Sequence, residues 1–131
     1  MNNDTAKKRY SGHVLVAEDV EVNRFIIGEM FEKFGLSVTF AHDGRQAVDM
    51  VCANDYALIF MDLKMPVLDG LGATREIQAA KADQCPPIIA LTAGEEDEQA
   101  AGCFAAGMKG FLTKPVKRAE LKAVLEKWLQ S

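Results

Sequence analysis

The chain has no cysteine or histidine pattern that would grip a metal or staple a small fold. Cys52, Cys85 and Cys103 form an odd set without CxxC or CxxxxC spacing, and His13 and His42 lie far apart. Such a set points to a reduced, cytoplasmic setting in which the cysteines serve as small apolar residues. A signal-peptide apolar region is missing, and no apolar run is long enough for a membrane span, so membrane contact is not expected. With a net charge of −4 and basic residues that are scattered rather than gathered into a stripe, the footprint of a nucleic-acid binder is absent as well. Internal repeats and low-complexity segments are also lacking.

What remains is an ordinary globular composition. Hydrophobic residues make up 49% and charged residues 26% of 131, enough apolar side chain for one well-filled core. Residues 1–12, MNNDTAKKRYSG, are polar and aperiodic and read as a flexible tail or leader, leaving 13–131 as the domain. From His13 onward short β-type runs alternate with longer helical patterns, the signature of βαβ units and a parallel sheet, here repeated five times. The expected strands lie at about 13–17, 36–41, 57–61, 88–92 and 109–113. Helices are expected from Glu21 to Phe34, ending at Gly35, after Asp43-Gly44, from Gly70 to Ala82, from the acidic run Glu95-Glu96-Asp97-Glu98, and after Lys114-Pro115. In the first helix, a spacing of about 100° per residue puts Ile26, Ile27, Met30, Phe31 and Phe34 on one face toward the sheet. Phe25 falls outside that face, between Glu29 and Glu32 and near Val22.

Four apolar runs end in residues that can do chemistry: Glu18-Asp19, Asp62, Thr92 and Lys114. If the runs are neighbouring parallel strands, these side chains meet at one sheet edge, where open α/β sheets carry their sites. Glu18 and Asp19 alone would read as helix caps. Asp62 changes the balance, because three carboxylates brought together repel unless a cation is shared, and hard oxygens of this kind suit Mg²⁺. Lys114 would pair with Asp62, and the Thr92 hydroxyl would reach a phosphoryl oxygen.

The motifs VAEDVEVNR (16–24), MDLKMPVLDG (61–70), PIIALTA (87–93) and GFLTKP (110–115), in that order, resemble the receiver domains of two-component response regulators. The resemblance spans residues 13–130. It implies a (βα)5 doubly wound, flavodoxin-like fold of five parallel strands that catalyses its own phosphorylation and dephosphorylation. Asp62 would be the phosphoacceptor, attacking the phosphorus of a phosphohistidine or small phosphodonor. Glu18 and Asp19 would be the acidic pair at Mg²⁺, with Asp19, Asp62 and the backbone carbonyl of Lys64 as ligands. Lys114 would bind phosphate ahead of a cis peptide at Pro115, and Thr92 with Phe111 would form a switch in which Phe111 turns inward.

The wording around the motifs, EVNR above all, is most similar to receiver modules of hybrid sensor histidine kinases. The implied partners are a histidine kinase or a histidine phosphotransfer protein, with Val22 and Phe25 as the partner surface. A stand-alone single-domain regulator acting through protein contacts is the alternative. Glu18 stands where Asp is commoner and keeps the charge. Two other classes fit less well. A flavodoxin-like cofactor binder would need a hydroxyl- and glycine-rich loop where this chain has Ala17-Glu18-Asp19-Val20-Glu21. A haloacid-dehalogenase-type phosphatase would carry a second acid at Lys64.

Overall fold

Runs of β-branched and aliphatic residues separated by amphipathic segments form five strands and five helices in the computed structural model, which describes residues 10–93 and 102–129. In chain order they are β1 (His13–Ala17), α1 (Glu21–Lys33), β2 (Ser37–Ala41), α2 (Gly44–Ala53), β3 (Leu58–Asp62), α3 (Gly70–Lys81), β4 (Ile88–Thr92), α4 (Cys103–Ala106), β5 (Gly110–Thr113) and α5 (Arg118–Trp128), with a short 3₁₀ turn at Ala82–Gln84. The acidic run 95–98 lies outside the described residues. All strand pairs are parallel, in the order β2-β1-β3-β4-β5. This is the parallel sheet expected from the alternation of strands and helices, in the doubly wound order that the resemblance implies, and it puts a topological switch point between β1 and β3.

Side-chain alternation along each strand divides the core into two layers. Val14, Val16, Leu58, Phe60, Ile89, Leu91 and Leu112 pack with Ile27, Phe31, Leu121 and Leu125 from α1 and α5. Leu15, Ile59, Met61, Ile88 and Ala90 pack with Val48, Val51, Ala73, Ile77 and Cys103 on the α2–α4 side. β3 is buried at all five positions, as a central strand covered on both faces must be. Removing one of its large side chains, such as Phe60, would cost about 3–5 kcal/mol.

The helix after β3 is set tightly against it. Asp69 caps α3 by accepting the Gly72 N–H at 2.8 Å, and the Gly70 N–H donates to the Leu63 carbonyl at 2.9 Å. A Cβ at Gly70 would run into the carbonyl oxygen of Asp62, so only glycine lets α3 start this close to the end of β3.

Three expectations change. Ile26, placed on the buried face of α1, is 49% exposed, because Ile27, Phe31 and Phe34 fill a narrower arc and leave Ile26 at its rim. Tyr10, assigned to the tail, is buried: its N–H donates to the Phe34 carbonyl at 2.9 Å and its ring meets Phe34 edge-on. Of the cysteines read as small apolar residues, only Cys103 is buried, whereas Cys52 is exposed and Cys85 half-buried.

Candidate functional site

The two-residue period that sorts the core also builds the site. Val14 and Val16 lead to Glu18, Leu58 and Phe60 lead to Asp62, and Leu112 leads to Lys114, so three polar side chains continue three apolar rows of one layer past the strand ends. Their meeting is direct. Lys114 Nζ lies 2.9 Å from Asp62 Oδ2 and 3.4 Å from Glu18 Oε1. The Lys64 N–H donates to Asp62 Oδ1 at 3.2 Å.

Glu18 is buried and held by several donors. Its Oε2 accepts the Val20 N–H at 3.1 Å and the Asn23 side-chain amide at 3.4 Å, while Arg24 Nη1 donates to its backbone carbonyl at 2.8 Å. Asp19, one residue on, is exposed. Sequence reasoning took Asn23 and Arg24 only as motif wording; their offsets of five and six residues from Glu18, on the first turn of the following helix, were the available signal.

Burial raises the Asp62 carboxyl above the ordinary aspartate range, and repulsion from Glu18 adds to it. The Lys114 ammonium and the Lys64 N–H pull the other way without prevailing. For Lys114, burial disfavours the charge, but the hydrogen bond and attraction of Asp62, reinforced by Glu18, outweigh it and leave its pKa raised.

Among the described residues, Glu18, Asp19 and Asp62 each offer a carboxylate oxygen within 4.8 Å of the others. Like charges that close repel by about 3 kcal/mol even at an effective dielectric of roughly 20, and one ammonium does not balance three carboxylates. Oxygen-only donors, two buried and one facing solvent, fit a small hard cation that keeps part of its water.

The other candidates surround this centre. Thr92 is buried at the end of β4, one residue past Leu91, the register partner of Asp62. The Lys114 N–H donates to its carbonyl at 2.7 Å, and the Lys114-Pro115 bond is cis. Phe111 is 56% exposed on edge strand β5, with its ring edge-on to Phe104 at 6.5 Å between centroids. Val22 and Phe25 are exposed on α1, Phe25 at 67%. A hollow of about 350 Å³ beside Lys114 is lined by Asn23, Ile26, Ile27, Leu91, Pro115 and Val116 along with Glu18. No described helix is long and apolar enough to cross a membrane.

A parallel doubly wound sheet with an acidic triad and a lysine at its switch-point edge defines a class of signalling domain. The chain belongs to the response regulator receiver domain family, whose model matches residues 14–126. It is 39% identical over 128 residues to the osmosensing histidine protein kinase SLN1 of Saccharomyces cerevisiae, which covers 93% of this chain. The chain spans 10% of that kinase's length.

Among solved structures, the receiver domain of sensor histidine kinase PA1611 from Pseudomonas aeruginosa PAO1 is 43% identical, with a TM-score of 0.85 over 92% of this chain and 99% of that one. It holds a magnesium ion in its active site cleft. The receiver domain of the response regulator Ssk1 of S. cerevisiae, crystallised with the histidine phosphotransfer protein Ypd1, is 30% identical. It has a TM-score of 0.85 over 93% of this chain and 91% of that one.

Proposed function

We propose that this receiver domain accepts a phosphoryl group on Asp62 from a phosphohistidine, within a phosphorelay of the hybrid-kinase type. The observation that carries the reading is a buried Asp62 bonded to Lys114 at 2.9 Å inside a group of three carboxylates. A carboxylate oxygen of Asp62 forms the new P–O bond as the P–N bond of the donor breaks, and the departing imidazole keeps the electron pair and takes up a proton. Lys114 follows the charge from the carboxylate to the transferring oxygens. Stabilising that charge is the main service a protein gives this reaction.

Glu18, Asp19, Asp62 and the Lys64 backbone carbonyl are the residues that would hold Mg²⁺, which when bound neutralises the carboxylates and the phosphoryl oxygens. Thr92 reads the product: its hydroxyl donates to a phosphoryl oxygen, and Phe111 turns inward from its exposed position. Water hydrolysis of the acyl phosphate resets the domain. Val22 and Phe25, with the hollow beside Lys114, supply an apolar docking surface for the helices of a histidine-bearing partner. The Ssk1–Ypd1 complex supports a partner of that kind, and the similarity to SLN1 supports the hybrid-kinase setting.

Incubation with acetyl phosphate and Mg²⁺ tests the core of this reading. Intact mass should rise by one phosphoryl group, with the gain prevented by chelator and located on Asp62 by tandem mass spectrometry. A label on any other residue would refute it.

A further inference from the structure

Asn23 and Arg24 both reach back from the first turn of α1 to Glu18. They grip different atoms. Arg24 holds the backbone carbonyl and so secures the path of the β1–α1 turn. Asn23 donates to the carboxylate itself, at Oε2, beside the Val20 N–H.

The two oxygens of Glu18 therefore have separate duties. Oε2 is tied to the turn that carries Asp19, while Oε1 faces Lys114 at 3.4 Å. Glutamate is one methylene longer than aspartate and has more rotamers to lose when it is fixed. Without the amide of Asn23, Oε2 keeps a single neutral donor, and the charged Lys114 becomes the stronger attraction. The carboxylate would then swing toward Lys114, leaving the acidic group less convergent and the lysine shared more evenly between Glu18 and Asp62.

We propose that Asn23 is a positioning residue for the cation site, holding the Glu18 carboxylate in place through Oε2 so that it stays aimed with Asp19 and Asp62 rather than collapsed onto Lys114. This rests on the reading of Glu18, Asp19 and Asp62 as the residues that hold Mg²⁺.

Asn23→Leu tests it, because leucine has a similar size, favours helix and lacks the donor. Calorimetric titration should show Mg²⁺ binding weakened by about threefold to tenfold, the effect of losing one long hydrogen bond to a charged group. Acetyl phosphate labelling should slow at limiting Mg²⁺ and recover at saturating Mg²⁺. The melting temperature in chelator should stay close to wild type. Asn23→Gln, which keeps the amide, should recover most of the affinity.

Wild-type Mg²⁺ affinity in Asn23→Leu, or Asn23→Gln no better than Asn23→Leu, overturns the proposal. If the wild-type protein itself neither binds Mg²⁺ nor takes a phosphoryl group on Asp62, the fault lies instead with the reading of the site.

Discussion

The β1–β3 edge and the β5 edge of the same sheet are built in opposite ways. At the first, Glu18 and Asp62 are buried and each accepts hydrogen bonds from more than one donor, and α3 starts in contact with the Asp62 carbonyl. At the second, Phe111 stands more than half exposed on a strand with one buried residue of four, and its ring partner Phe104 is exposed as well. A phosphoryl-transfer site gains from groups fixed before the reaction, since no reorganisation is then needed as charge develops. A conformational response needs the reverse, a packed element with two arrangements of similar energy. The contrast favours chemistry on the rigid edge and readout on the loose one.

The largest expected effect that would break this division comes from Asp62→Asn. Labelling by acetyl phosphate should vanish, and residual label anywhere on the variant chain would mean the rigid edge is not where the chemistry lies. The same variant has a second, opposite effect on stability. Burial raises the Asp62 carboxyl in the folded state, so its ionisation costs stability as pH rises through that raised value and costs nothing below the unfolded value. In cation-free buffer Asp62→Asn should therefore melt above wild type at neutral pH, with the gap closing as pH falls from that raised value to the ordinary aspartate value. Thermal melts from about pH 3 to 8 would check it, and a gap that widened in acid would contradict the sign.

Next in size is Asp19→Asn. Exposed Asp19 supports nothing in the core, so the fold should survive while Mg²⁺ affinity falls by at least the roughly tenfold that loss of an outer-shell partner costs. Calorimetry reads this directly; unchanged affinity would remove Asp19 from the cation site.

Thr92→Ala sharpens the contrast between the edges. Phosphate should still load onto Asp62, but backbone NMR shifts along Phe104–Lys114 on adding a phosphoryl mimic should shrink to a minor fraction of the wild-type response. An undiminished response would separate the readout from Thr92. The smallest effect on the isolated domain belongs to Phe25→Ala. An exposed side chain away from the core should change stability by about 0.5 kcal/mol or less, and acetyl phosphate labelling should hold. Transfer from a phosphohistidine partner should slow by about 5- to 30-fold, as removal of an apolar interface anchor costs about 1–2 kcal/mol. Equal loss with both donors would mean a defect of fold or site instead.

Much of this was legible in the residues. The alternation of runs and the breaks at Gly35, Asp43-Gly44 and Gly70 specify five βα units, and the polar residues that end four of the five runs nominate Glu18, Asp19, Asp62, Thr92 and Lys114 before any coordinates are known. They do so because strand and helix periods are local properties of the backbone, and a strand's two-residue period carries its apolar row straight on to its terminal side chain. Tertiary structure decided the rest.

The strand order set which ends are adjacent, bringing Lys114 to Asp62 across 52 residues and to Glu18 across 96. It left Ile26 at the rim of α1 and Phe111 outside the core, drew Tyr10 into it, and turned Asn23 and Arg24 back onto Glu18. No local pattern encodes these outcomes, because each depends on which surfaces are already occupied by residues distant in the chain and on which buried polar groups still lack a donor.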